Sequence, residues 1–126
     1  MRLLRILVVD DDFHIRESLR IKLEQAGHTV SLAPDGGEAV KALKRGVFDI
    51  VVTDILMPDK DGFELIGDIR RKWPKVRIVA ISGGGRIGTE QLLVAAAGLG
   101  ADAVIAKPFS YPQLSAVLGS VLSGVA

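Results

Sequence analysis

The sequence predicts an α/β fold in which a doubly wound, parallel, five-stranded sheet carries helices on both faces. Three observations lead there. Five short apolar runs alternate along the chain with five segments of helical patterning, the pattern of strand–crossover–strand units. Runs such as Ile6 to Val9 and Ile50 to Val52 are continuous in Val, Ile and Leu, which suits strands covered on both faces. No linker, repeat or low-complexity stretch divides the chain, so its 126 residues read as one domain, 1–126.

The elements follow in order. Leu3 to Val9 is the first strand, apolar except for Arg5, and it ends in Asp10-Asp11-Asp12. Ile15, Leu19 and Leu23, at i, i+4 and i+8, form the inner stripe of helix one, which Gly27 stops. Thr29 to Ala33 is strand two, and Pro34-Asp35 leads into helix two, about Gly36 to Arg45. Ile50 to Thr53 is strand three, followed by Asp54 and a turn from Met57 to Gly62. Asp61 and Glu64 have capping-box spacing for helix three, about Phe63 to Arg71. Trp73-Pro74 breaks that helix, and Arg77 to Ile81 is strand four. After SGGGRIG comes helix four, Thr89 to Leu99, then strand five, Ala103 to Ala106. Lys107-Pro108 follows, and helix five runs from Pro112 to Leu122. Right-handed crossovers restrict the strand order. The order 2-1-3-4-5 is the natural one, with a switch point between strands one and three.

Composition bounds the function. Apolar residues make up 48% and charged residues 25%, as in ordinary globular domains, and a chain this long buries about two-thirds of its unfolded surface. A net charge of +1 with no dense basic patch argues against nucleic-acid binding. The absence of cysteine excludes disulfides and thiolate metal sites and is compatible with the cytoplasm. MRLLRILVVDDD has only a brief apolar run before three acids, so it reads as neither a signal peptide nor a membrane span. Charge is unevenly spread. Of 16 basic and 15 acidic residues, only Glu90, Asp102 and Lys107 fall between Ile87 and Ala126.

The strand ends carry the chemistry. In a parallel sheet every strand-to-helix loop opens on one edge, where such sheets bind ligands. That edge would collect Asp10 and Asp11 after strand one, Asp54 after strand three, Ser82 after strand four and Lys107 after strand five. Crowded carboxylates repel and raise at least one pKa unless a cation intervenes. A hard divalent ion with oxygen ligands, Mg²⁺ above all, resolves the conflict. The set suits a carboxylate nucleophile accepting a phosphoryl group whose oxygens are held by metal, lysine and hydroxyl. Each piece also has a plainer reading. Asp54 could simply end a strand, Asp11 and Asp12 could cap helix one, Ser82 could be a turn residue, and Lys107 a solvated loop residue. Their coincidence on four strand ends favours the site.

With ILVVDDD (Ile6 to Asp12), DIVVTDILMPDKDG (Asp49 to Gly62), VAIS (Val79 to Ser82) and AKPF (Ala106 to Phe109), the chain resembles the receiver domains of two-component response regulators, including the chemotaxis receiver. The resemblance spans essentially the whole chain and implies a flavodoxin-like fold. It implies that Asp54 accepts phosphate from a phosphohistidine on a histidine kinase or phosphotransfer protein. It also implies that Asp11, Asp54 and the Leu56 backbone carbonyl bind Mg²⁺ directly, with Asp10 acting through water. Lys107 would contact the acyl phosphate, Ser82 would move to hydrogen-bond it, and the Lys107–Pro108 bond would be cis. Such a protein is a switch rather than a turnover enzyme. Without an output domain after helix five, the direct expectation is a stand-alone receiver acting on a downstream protein, with a receiver cut from a longer regulator as the alternative.

Two departures from the family pattern stand out. Val104 occupies a position where an aromatic switch residue is usual, and Gly83-Gly84-Gly85 follows the hydroxyl residue, favouring a mobile loop. Helix four, strand five and helix five form the family's usual output face. Here that face is nearly uncharged, which suits an apolar partner or homodimer surface rather than a salt-bridged one, or else a face of small residues that is simply exposed and soluble.

Rival readings fare worse. GGGRIG satisfies G-x-G-x-x-G but follows strand four, lacks a P-loop lysine and leaves no second nucleotide-binding half. Three acids in the first loop would repel the phosphate of a flavin. A haloacid-dehalogenase-like phosphatase would use Asp10-x-Asp12, Ser82 and Lys107, but it needs a late acidic metal ligand, and no acid follows Lys107. His14 is expected at the solvated start of helix one, Phe13 in a docking surface beside it, and Trp73 in packing at a helix end.

Overall fold

Five parallel strands pair in the order β2-β1-β3-β4-β5, the order expected from the alternation of elements. A computed structural model describes residues 3–55, 62–82 and 89–122. Its strands are β1 (Arg5–Val9), β2 (Thr29–Ala33), β3 (Ile50–Asp54), β4 (Arg77–Ser82) and β5 (Ala103–Ala106). The helices are α1 (Phe13–Gln25), α2 (Gly36–Arg45), α3 (Gly62–Lys72), α4 (Thr89–Leu99) and α5 (Tyr111–Leu122).

Small boundary differences have physical causes. Leu3 is 66% exposed, and pairing begins only at Arg5, opposite Thr29. β3 and β4 each extend one residue beyond expectation. Asp54 pairs with Ile81, and Ser82 with Ala106, because Ile55 N–H donates to the Ile81 carbonyl and Lys107 N–H to the Ser82 carbonyl. Asp54 and Ser82 are therefore the last residues of their strands rather than the first residues of loops.

Strand pleating sorts the core into two layers. Leu7, Val9, Val51, Ile78 and Ala80 face Ala39 and Leu43 of α2, Leu65, Ile66 and Ile69 of α3, and Ala96 of α4. Ile6, Val8, Ile50, Val52, Val79 and Ile81 face Leu19 and Leu23 of α1 and Leu114, Leu118 and Val121 of α5. Each fully buried Leu or Ile contributes roughly 1.5–3 kcal/mol. With apolar residues covered on both sides, β1, β3 and β4 form a rigid floor whose carboxyl ends define one edge. Trp73 is partly buried against the first layer, in the packing role expected.

The helix ends are fixed locally. Asp12 caps α1, accepting from His14 and Ile15 N–H, and Gly27, at φ 99°, turns the chain out of it. Asp35 caps α2 through Glu38 N–H. The Asp61 half of the expected capping box on α3 lies outside the described residues. At the far end of α4, Gly100 has φ 113°, and the Arg70 side chain from α3 lies across this turn. It donates to the Gly100 carbonyl from Nε and Nη2, to Pro74 and Val76 carbonyls from Nη1, and to Asp102 Oδ2 from Nη2. Asp102 Oδ2 also accepts Ile78 N–H at 2.7 Å.

Candidate functional site at the carboxyl edge of the sheet

β1 and β3 are neighbours, so their carboxyl ends bring Asp10, Asp11 and Asp54 together. One carboxylate oxygen from each lies within 4.8 Å of the other two. Asp10 is 1% exposed and Asp54 6%, whereas Asp11 is exposed. The buried pair lies against the sheet, and Asp11 closes the cluster on the solvent side.

Lys107 reaches the cluster from the end of β5. Its Nζ stands 3.5 Å from Asp10 Oδ2 and 3.6 Å from Asp54 Oδ2. These are ion pairs slightly too long to be good hydrogen bonds. The Lys107–Pro108 peptide is cis. Ser82 is fully buried at the end of β4, and its Oγ has no hydrogen-bond partner among the described residues. Asp10 Oδ2 is likewise unsatisfied by hydrogen bonding. Buried polar atoms left open in this way cost free energy unless another group meets them.

Burial pushes the Asp10 carboxyl above its ordinary value. The Asp12 N–H bond to Oδ1 and the Lys107 charge oppose that rise, and the neighbouring Asp11 charge adds to it. A carboxylate with a raised pKa, an open buried oxygen and two acidic neighbours is a site short of positive charge. Its donor set is all oxygen, which fits a hard cation such as Mg²⁺ and excludes a soft-metal centre.

Several sequence expectations resolve here. Of the two acids left as alternative caps, Asp12 caps α1, while Asp11 belongs to the cluster. His14 and Phe13 are exposed at the start of α1, their rings edge to face at 5.6 Å. His28 is buried at the other end of the sheet, where its Nδ1 accepts Leu4 N–H. Val104 is half-buried, pairs with Ala80 and packs on the α3–α4 side of the sheet. Leu56 and the glycines Gly83 to Gly85 lie outside the described residues. A cleft of about 640 Å³ beside Trp73 and Arg77 opens on the opposite edge and gathers none of these residues.

Sequence reasoning did not single out Arg16. Its Nη1 donates to the Asp10 backbone carbonyl at 2.7 Å. The available signal was a cation at the fourth helical position, near the positive end of the α1 dipole, where an acid is more usual.

On the α4–β5–α5 side, Val94 is 73% and Leu99 43% exposed. Ala95 and Ala97 of α4 and Ala116 and Gly119 of α5 are also exposed. No helix among the described residues is long and apolar enough to cross a membrane.

Known proteins resemble this chain in sequence and fold. The family model described as "Response regulator receiver domain" matches residues 6–119. A response regulator MprA from Mycobacterium sp. (strain KMS) is 37% identical over 118 residues, covering 94% of this chain and 50% of the relative. The chain thus spans about half the length of the curated relatives it matches. Crystal structures of NtrX from Brucella abortus (TM-score 0.91, 31% identity) and of chemotaxis protein CheY4 from Vibrio cholerae (TM-score 0.85, 28% identity) superpose on it. They cover 98% and 95% of this chain, and 28% and 99% of their own chains, respectively.

Proposed function

Because the chain belongs to the response regulator receiver domain family of two-component signalling, we propose that Asp54 is its phosphoacceptor and that the chain works as a cytoplasmic, phosphorylation-dependent switch. The observation that carries this reading is the convergence of Asp10, Asp11 and Asp54 with Lys107 on one sheet edge. Asp54 has the central position. It lies on the central strand, is held by the ladder and is paired with the lysine.

The donor is a phosphohistidine on a histidine kinase or histidine phosphotransfer protein. An Asp54 carboxylate oxygen attacks phosphorus, an O–P bond forms and the N–P bond breaks. The imidazole nitrogen leaves with that electron pair and is protonated. Lys107, 3.6 Å from Asp54, balances charge on the transferring oxygens, and the Ser82 hydroxyl, without a hydrogen-bond partner among the described residues, moves to donate to one of them afterwards. Asp11, Asp54 and the Leu56 carbonyl would hold Mg²⁺, with Asp10 acting through water. A cation held by these residues would supply the positive charge that offsets carboxylate repulsion and polarises the phosphoryl oxygens. Water attack at phosphorus then breaks the Asp54 O–P bond and releases inorganic phosphate, which returns the carboxylate and resets the switch.

Output runs through the strand ends. A dianionic group on Asp54 draws Ser82 and Lys107 inward, at the ends of β4 and β5. Valine at 104 has no hydroxyl tip, so either coupling passes from the Ser82 strand end to α4 or it is weak. The apolar face around Val94 and Leu99 is the contact surface for a downstream protein or a second copy. Light scattering with and without beryllofluoride tests the second-copy version, and a monomer in both states removes it.

The deciding experiment is labelling by acetyl phosphate with Mg²⁺, comparing Asp54→Asn with Asp10→Asn. Loss of label in the first variant, with residual label in the second, is expected. Label that survives Asp54→Asn but not Asp10→Asn would instead support the phosphatase-like alternative.

A further inference from the structure

Arg16 lies on the first turn of α1, is partly buried and plays no part in the chemistry described above. Its guanidinium donates from Nη1 to the Asp10 backbone carbonyl at 2.7 Å. It also lies 5.8 Å from the centroid of the Phe13 ring, a cation–π distance that helps orient the planar fork. The Asp10 side chain is engaged separately, because its Oδ1 accepts Asp12 N–H at 2.9 Å. Asp12 in turn caps α1 through His14 and Ile15 N–H. The backbone at Asp10 and that at Asp12 are thus anchored on either side of Asp11, the exposed member of the acidic cluster.

We propose that Arg16 is a positioning residue for the cation site, clamping the β1–α1 turn so that Asp11 stays beside Asp10 and Asp54. The inference rests on the divalent-cation reading of that cluster. Three carboxylates whose oxygens lie within 4.8 Å of one another repel, and the exposed Asp11 is the one free to swing into water. Fixing the peptide on both sides of it opposes that relaxation. The cost of assembling the ligands then falls on folding rather than on ion binding, which is how preorganisation raises affinity.

A positioning role and a simple field effect predict opposite signs. Arg16 adds a positive charge near a cation site, so neutralising it should tighten Mg²⁺ binding if charge alone matters. If the clamp matters, neutralising it weakens binding. Calorimetric titration of Mg²⁺ alone into wild type, Arg16→Gln, Arg16→Lys and Arg20→Gln separates the two. Arg20 is the control, an arginine one turn further along α1 whose partners are Glu17 and Glu24. The expected result is a Kd raised about tenfold in Arg16→Gln and raised in Arg16→Lys, which keeps the charge but loses the planar fork. Arg20→Gln should stay within about twofold of wild type, a small surface-charge effect.

Thermal unfolding in EDTA accompanies the titration: the lost Asp10 carbonyl bond and the relieved carboxylate repulsion act on metal-free stability in opposite directions, and the scan shows that each variant is folded where Mg²⁺ is titrated. Unchanged or tighter Mg²⁺ binding in Arg16→Gln would overturn the proposal, as would equal weakening in Arg20→Gln. If Arg16→Gln fails to fold, the lysine variant decides by the same criterion. A wild-type protein that binds no Mg²⁺ would sink the cation-site reading itself, which is a distinguishable failure.

Discussion

Lys107 stands 3.6 Å from Asp54, and the same ammonium is 3.5 Å from Asp10, so one cation serves two buried carboxylates, one ending β3 and one just past β1. Its removal has opposite effects on two measurable quantities. In Lys107→Met, Mg²⁺ should bind several-fold more tightly, because a competing positive charge has left the pocket. Labelling of Asp54 by acetyl phosphate should nevertheless slow about tenfold or more, since charge on the transferring oxygens has lost a partner. Titration and labelling on the same sample test both signs.

The acidic cluster should make the metal-free protein less stable than its neutralised variant. Asp54→Asn removes one of three mutually repelling groups, so its Tm in EDTA should exceed that of wild type. Mg²⁺ should reverse the order. At a concentration one hundred times Kd, a ligand that binds only the folded state stabilises it by about 2.7 kcal/mol, a gain the variant largely forfeits. Thermal scans with and without Mg²⁺ give the comparison directly.

Gly62 and Gly67 lie in one helix and should respond oppositely to alanine. A Cβ at Gly62 would press on the Asp54 carbonyl oxygen and lie 2.5 Å from Ile55 Cα, both of them backbone. Gly62→Ala should cost about 2 kcal/mol or more, within the range for overpacking against atoms that cannot yield. It should also lower Asp54 labelling, since the displaced backbone carries that residue. A Cβ at Gly67 meets nothing within 4 Å, so Gly67→Ala should gain up to about 1 kcal/mol from helix propensity. Urea denaturation of the two variants measures the contrast.

His28 gives the fold an acid-sensitive point far from the site. Burial holds its pKa below the ordinary 6.5, and its neutral Nδ1 accepts Leu4 N–H. Above the unfolded-state pKa both states are neutral, and the residue has no pH effect. Between about 6.5 and the lower folded value, the unfolded chain binds the extra proton, so stability falls as pH falls. His28→Asn keeps an acceptor at the Nδ1 position and cannot titrate. The wild-type-minus-variant difference in unfolding free energy should shrink on going from pH 7.5 to pH 5. A flat difference would remove the histidine from this account.

Much of this molecule was legible in its sequence because its signals are local. Strand identity follows from unbroken apolar runs such as Ile50 to Val52, and helix ends follow from Asp12, Asp35 and Gly27. The members of the site could be named because a parallel sheet sends all its strand ends to one edge. Interactions between distant polar residues could not be read. Arg16, Arg70 and Asp102 have the same chemistry as the solvated charges around them, and only the packing of α1 and α3 shows which carbonyls they meet. The exact ends of β3 and β4 were hidden for a related reason, since they depend on bonds from Ile55 and Lys107 to neighbouring strands.

The Arg70 corner bears on how the chain comes apart. The charge-poor final third would pass, by composition, for a loosely attached segment. Yet the turn that joins α4 to β5 is held by an arginine belonging to α3, and Asp102 returns a bond to the first paired residues of β4. Opening that turn means releasing Arg70 from the Pro74 and Val76 carbonyls as well as from Gly100, or leaving Gly100 and Asp102 without it. α3 and the α4–β5 turn should therefore open as one cooperative unit, their backbone amides exchanging with solvent together. The part of the molecule poorest in charge is tied to the rest by one of its few acids.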